Sequence, residues 1–563
     1  MRRLTILLII VLCIAAFLYW APIDQHTLII ENITYEKTDD VLKVHKDDLP
    51  EPEGLLYNIT MNISLKGELL SIDAIEEIKI RSNRTITNLL IFKNTSVAQK
   101  HIERIVVESA SADVRAFYDS SLYAVLLNMT PESEWMSVKI YYHSTYDPLQ
   151  DKPQTYIENH LNQNPADFYY LPLRAYVIDD MLPSKNQSVL ITINPPANYT
   201  LAVLEEVNAF WSYRAILPEN GAFKTDGHKP FYILLSRKKL YNTTIRIGNK
   251  TVSIRALTDE PYAANKLKDI IEFYSHVFMP YPYEDFTYIK IKGRRSNYKG
   301  HGLYGGIIAS QFKTGLIAHE TAHNWFGIYA NFGALNEPLA TYADILYENN
   351  SRIIDLLEVQ CISSKDRTPI ASIDMNNGKH YTNLYLRGAF IFRSLQFTIG
   401  DDAFFDGIKE LLRECRTLNC YTTTSKTIKI MQRVFEETSN QSLGWFFDEW
   451  FYRSDYPKFV VTNATIKEKG DMYILTLNIT EENGFMMPLE VMVEDERGST
   501  LLKKVFVNGS ASIRFELKGK PKRIILDPND WIANKISDGN TTNQGLSIKE
   551  KGYYVNGIFV LIN

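Results

Sequence analysis

Gly315 to Asp344 reads GLIAHETAHNWFGIYANFGALNEPLATYAD, and this stretch decides the fold and the chemistry of the chain. His319 and His323 are four positions apart. On a helix that spacing stacks both rings on one face, so each can offer a nitrogen to one ion. Glu320 lies beside them, placed to work on a water held by that ion, and Glu337 follows as a candidate third ligand. The flanks Leu316-Ile317-Ala318 and Trp325-Phe326-Gly327 predict an apolar, largely buried helix. Two histidines and a glutamate are costly there unless something pairs with them, and a metal ion is the simplest partner.

The rest of the chain sets the context. Its 563 residues suffice for about three or four domains. A formal charge of −5 gives no basic surface for nucleic acid. Met1-Arg2-Arg3 precede an uncharged run from Leu4 to Trp20, which ends in Ala21-Pro22 without a small-residue cleavage site. We read residues 1–22 as an uncleaved signal anchor, with a cleaved signal as the alternative, and the body of the chain outside the cytoplasm. Sixteen N-x-S/T triplets from Asn32 to Asn540 agree with a surface glycoprotein, although an Asn-rich chain also makes such triplets by accident. Four cysteines are too few for a disulfide scaffold. Cys13 lies in the apolar run, Cys361 reads as a buried small hydrophobe, and a local bridge between Cys415 and Cys420 is left open.

Residues 23–54 are polar, contain Pro50-Glu51-Pro52-Glu53-Gly54, and read as a stalk. Over 55–252 apolar residues alternate, as at Ile59, Met61, Ile63 and Leu65, which predicts half-buried strands and an N-terminal β-sandwich. Over 253–455 the period becomes helical, with a helix from Pro261 to Tyr274, a strand at Thr287 to Ile291 and a glycine-rich segment Gly300-His301-Gly302-Leu303-Tyr304-Gly305-Gly306. Helices are expected near 337–348, 353–364, 384–399, 402–416, 426–438 and 442–452. Alternation returns over 456–532, a small second β-sandwich. The tail 533–563 is less clear, and its apolar run Gly557 to Ile562 is short enough to be only an added strand.

These residues carry a resemblance to the aminopeptidase N and leukotriene-hydrolase family of gluzincins, over roughly residues 55–532. Pro280-Tyr281-Pro282-Tyr283, the HETAHNWFG of His319 to Gly327, Asn336-Glu337-Pro338-Leu339-Ala340-Thr341-Tyr342, Tyr385-Leu386-Arg387-Gly388, Gly400-Asp401-Asp402-Ala403-Phe404 and Trp445 to Trp450 are similar to its motifs in the same order. The resemblance implies a β-sandwich, a thermolysin-like, mainly helical catalytic domain and a small C-terminal β-sandwich. It implies Zn2+ held by His319, His323 and Glu337, with Glu320 as general base and Tyr385 as donor to the oxyanion. Asp344, seven residues after Glu337, is on the same helix face and is a candidate to orient a histidine through its second ring nitrogen, with a solvated surface carboxylate as the alternative.

Two departures bear on this reading. The family usually places eighteen residues between the second histidine and the third ligand, whereas here thirteen intervene, so the connection must be tighter. Pro338 then requires the first turn of its helix. Leu303 stands where the family's GxMEN glutamate grips the substrate's amino group, so Gly302, Leu303 and Tyr304 are expected to line the substrate cleft without that carboxylate. The sequence reading is a membrane-anchored, extracytoplasmic zinc metallopeptidase, aminopeptidase-like by resemblance, acting on a peptide or protein. The rival is a catalytically silent peptide- or protein-binding ectodomain on the same fold. The sequence assigns no oligomeric state.

Overall fold

The structure is a computed structural model that describes residues 27–31, 55–67, 69–81, 86–91, 102–109, 112–119, 124–131, 135–146, 168–172, 189–208, 212–225, 231–291, 300–373, 380, 382–417, 420, 423–534, 552–555 and 558–562. The expected signal anchor lies outside the described residues. Among those described, no helix is long and apolar enough to cross a membrane. The chain divides into two compact units. One holds Met1–Tyr241 with Ala256–Asp259 and Ile289–Lys299, and the other holds Asn242–Arg255, Glu260–Tyr288 and Gly300–Asn563.

The N-terminal region is built of β-sheets, among them a seven-stranded and a four-stranded one. The alternation at Ile59, Met61 and Ile63 does what a half-buried strand requires: all three are buried, and the residues between them face outward. Leu55–Lys66 pairs antiparallel with Leu69–Arg81 across a turn at Gly67, whose φ of +68° favours glycine. The expected stalk is not unpaired throughout, because Thr27–Glu31 is a strand running antiparallel to Ile102–Ser109. Its sequence TLIIE is a β-branched run inside an otherwise polar segment, and that run finds a sheet edge.

The central region is helical and rests on a five-stranded sheet with Lys239–Ile247, Lys250–Thr258, Asp285–Lys290, Gly306–Ala309 and Gly300–Leu303 in spatial order. Among the described residues Gly300–Leu303 is therefore an edge strand, paired with Gly306–Ala309. The histidine helix is short, Thr314–Ala322, with His323 as its C-cap. The glutamate helix is Asn336–Glu348, which leaves Pro338 in the first turn where its missing N–H costs nothing. Further helices span Ser351–Ser363, Gly388–Ile399, Asp401–Thr417, Thr424–Ser439 and Gly444–Phe451. Cys415 and Cys420 are joined by a disulfide at the end of Asp401–Thr417, and Cys361 is free and buried.

The C-terminal region is an eight-stranded sheet over Phe459–Ile562 whose two outermost strands, Phe459–Lys469 and Gly552–Val555, approach within 8 Å at Cα. Ile558–Ile562 joins it parallel to Pro521–Leu526, so the last apolar run is an added strand.

Two contacts fix the histidine helix against the sheet. The Tyr281 hydroxyl reaches Asn324 Oδ1 at 3.2 Å and the Asp285 carbonyl at 3.1 Å, while Asn324 Nδ2 donates to the Gly306 carbonyl. The edge strand lies directly on the helix: a β-carbon at Gly302 would sit 2.6 Å from His323 Cβ, and one at Gly300 would sit 2.6 Å from Glu320 Oε1. Only glycine permits that approach. Gly302→Ala is expected to destabilise the fold by about 1–3 kcal/mol, because the backbone strand and the His323 β-carbon cannot both stay in place. Denaturant unfolding of the variant checks this.

Candidate metal centre

The two helices carry their functional side chains to one point. His319 Nε2 and His323 Nε2 each lie 3.3 Å from Glu337 Oε2. The ligand atoms of all three residues lie within 4.8 Å of one another. Two atoms each about 2.0–2.1 Å from a tetrahedral zinc are about 3.3–3.4 Å apart, so the glutamate oxygen stands at ligand spacing from both nitrogens. The side chains are 12%, 13% and 18% exposed, so the cluster is half-buried and reached by solvent. The donor set of two imidazoles and a carboxylate fits zinc.

The second nitrogens set the tautomers. His323 Nδ1 donates to the Phe326 carbonyl at 3.0 Å, and a carbonyl can only accept, so Nε2 is left for a metal. His319 Nδ1 meets Thr341 Oγ1 at 3.4 Å. Asp344 bonds to neither ring. Its Oδ1 is buried with no hydrogen-bond partner among the described residues, and burial, with Glu348 adding, pushes its carboxyl well up. The residue that meets the second nitrogen of His319 is Thr341, one helical turn after Glu337, and not Asp344. Asp344 is half-buried, with only Oδ1 fully enclosed.

Burial opposes a charge on His323, but Glu337 outweighs it and raises the ring to about 9. Glu337 answers in the other direction: burial pushes its carboxyl up, yet the attraction of His323 holds it well below the usual carboxylate range. Glu320 is buried, and that burial, with Glu337 adding, raises its carboxyl against the pull of the two histidines. A carboxyl raised in this way is suited to taking up a proton and giving it back.

The shortened connection closes through glycine. Gly327 and Gly333 take φ of +122° and +63°, values that side chains resist. Asn336 ties the turn: its Oδ1 accepts from the Phe332 N–H at 2.8 Å and its Nδ2 donates to Asn331 Oδ1 at 3.0 Å. Tyr385 lies in a π-helical turn, Asn383–Arg387, with its ring stacked on His319 at 5.8 Å between centroids. Of the three residues expected to line the cleft, Gly302 backs onto His323 and Tyr304 is 36% exposed, but Leu303 is fully buried. Side chains alternate along a strand, so the register that turns Gly302 toward the helix turns Leu303 away from it. Gly300, against Glu320, was not among the expected site residues. Its only sequence signal was the density of glycine around it.

No protein-family profile and no curated protein matches the chain. Among solved structures it is similar to an M1 zinc metallopeptidase from Deinococcus radiodurans, at 17% identity over 72% of this chain and 95% of that one, with a TM-score of 0.40. It is also similar to aminopeptidase A of Legionella pneumophila in complex with aspartic acid, at 13% identity over 91% of this chain and 61% of that one, with a TM-score of 0.45.

The protonation of His323 has a consequence for metal binding. A metal must displace the ring proton that Glu337 stabilises up to about pH 9. Zinc affinity is therefore expected to rise about tenfold per pH unit below that value and level off above it, with about one proton released per ion near neutrality. Zinc titrations at several pH values in buffers of different ionisation enthalpy measure both quantities.

Proposed function

We propose that the chain is a zinc metallopeptidase whose centre is His319, His323 and Glu337, with Glu320 as its proton carrier. The observation that carries this reading is the 3.3 Å spacing of Glu337 Oε2 from both ring nitrogens, with Glu320 next to them on the same helix. A zinc ion bound there supplies an acidified water and a Lewis acid for a peptide carbonyl. Glu320 takes the proton of the attacking water and returns it to the leaving amine, which its raised carboxyl favours. Tyr385, beside His319, donates its phenolic hydrogen to the oxyanion that forms as the carbonyl is attacked. Among the described residues the strand Gly300–Leu303 is at the edge of its sheet, where an extended peptide can add by backbone hydrogen bonds.

The resemblance favours an aminopeptidase, but Leu303 stands where an amine-gripping glutamate is expected, and it brings no charge. We therefore read the bond specificity as open between the chain end and internal positions. In this reading the run Leu4 to Trp20 is an anchor, with a cleaved signal as the alternative, and the N-x-S/T triplets support a catalytic body outside the cytoplasm.

Glu320→Gln is expected to lower kcat by at least about a thousandfold while zinc stays stoichiometric, because the variant keeps the ligands and loses the base. Hydrolysis of matched free and N-acetylated peptide libraries, with metal analysis of each preparation, measures this. Loss of all cleavage by the zinc-loaded parent chain would refute the reading. Topology has its own check: the chain made in membranes should lose apparent mass on glycosidase treatment and stay with the membrane in alkaline carbonate.

A further inference from the structure

The five-stranded sheet of the central region has two unlike edges among the described residues. At one edge Gly300–Leu303, four residues long, lies against Glu320 and His323 through Gly300 and Gly302. At the other, four strand spacings or about 19 Å away, runs Lys239–Ile247, nine residues with the sequence KLYNTTIRI. A long edge strand offers its free backbone to any other chain unless something blunts it. Lys239 and Arg246 charge the two ends, but Tyr241-Asn242-Thr243-Thr244-Ile245 between them is uncharged and rich in strand formers. Leu240, next to that stretch, is 39% exposed. As bare polypeptide this edge is a template for pairing.

Asn242 changes that. It begins the triplet Asn242-Thr243-Thr244, and the strand alternates so that Leu240, Asn242, Thr244 and Arg246 are exposed while Ile245 is buried. The amide and the hydroxyl that define an acceptor triplet thus share the outward face. Exposure also sets the triplets apart as a group. Sixteen occur in the chain, the structure describes the exposure of the asparagine in ten, and all ten are exposed. Among described asparagines outside triplets, Asn324, Asn336, Asn383, Asn483 and Asn534 are buried or half-buried. Triplets made by composition alone would fall on asparagines of both kinds. Within this sheet Asn249 lies in the turn past the end of Lys239–Ile247, and Gly300–Leu303 holds no asparagine.

We propose that Asn242 carries an N-linked glycan, and that this sugar closes the Lys239–Ile247 edge while Gly300–Leu303 stays free of carbohydrate. The glycan is bulky and hydrated and stands on the face beside the unpaired backbone. A second strand must come within about 4.8 Å to pair, and the sugar would have to be displaced first. This rests on the extracytoplasmic reading of the chain, because the sugar is added on that side of the membrane.

The test uses the full chain extracted in detergent from membranes of a host that adds N-linked glycans. Mass spectrometry of its proteolytic peptides is expected to find sugar on Asn242. Asn242→Gln and Thr244→Ala, which both break the triplet, should self-associate at a concentration about tenfold lower than the parent, read by analytical ultracentrifugation. Thr244→Ser keeps the triplet and should match the parent. Asn242→Lys loses the sugar but charges the edge, and it should also match the parent, which separates edge pairing from misfolding. A bare Asn242, association of Asn242→Gln equal to the parent's, or association of Asn242→Lys equal to that of Asn242→Gln would overturn the proposal. Sugar on other triplets with Asn242 bare removes the capped edge alone, whereas sugar on no triplet removes the extracytoplasmic reading as well.

Discussion

The contact of one carboxylate oxygen, Glu337 Oε2, with the Nε2 atoms of both His319 and His323 is the interaction on which the centre depends. It joins two helices that the chain could otherwise pack in many registers. Three polar ligands gathered in a mostly buried place are costly on their own, and the geometry is kept because apolar contacts around it hold the helices fixed. Ile317, Ala318 and Ala322 on one helix and Leu339, Ala340 and Ala343 on the other are fully buried. That packing holds the three side chains together, and a metal bound among them would relieve the charge they hold.

The edge strand is fixed by the same constraint. Glu320 and His323 are pressed against the backbone of Gly300 and Gly302, so the proposed proton carrier and a proposed ligand share a wall with the edge strand. A side chain at either glycine would part the wall from the helix. Glycine here serves close approach, since neither residue needs a positive φ. The positive-φ glycines, Gly327 and Gly333, are in the connection, where they let thirteen residues turn back to deliver Glu337.

Much of this was legible in the sequence because its signals are local. Four-residue spacing on a helix placed both histidines, helical periodicity gave Asn336–Glu348 and Asp401–Thr417 to within a few residues, and Pro338 fell in the first turn as its chemistry requires. What stayed hidden depends on phase and register. Asp344 and Thr341 share a helix face with Glu337, and only the three-dimensional distance picks Thr341 as the partner of His319. Leu303 is one residue from Gly302, but a strand turns consecutive side chains to opposite faces, so the expected cleft residue is buried. The short strand Thr27–Glu31 gave only five apolar-rich residues against a polar background, too few to outweigh their surroundings.

The π-helical turn at Asn383–Arg387 is the least local feature of all. Nothing in the residues NLYLR distinguishes a π-turn from an α-turn, yet the wider turn sets the direction of Tyr385, whose ring lies nearly parallel to that of His319. The turn is held from beyond itself: the fully buried Arg387 donates from Nη2 to the carbonyl of Arg453 at 2.7 Å, and its guanidinium lies over the Tyr456 ring at 4.8 Å. Burial lowers the affinity of Arg387 for its proton, and its Nε and Nη1 have no hydrogen-bond partner among the described residues. An arginine kept in so unfavourable a place is an expense to the fold, and it belongs to the turn that stacks Tyr385 on His319. The surroundings of His319 thus extend to a π-helical turn and, through Arg387, to Arg453 just past the helix Gly444–Phe451, more than sixty residues further along the chain.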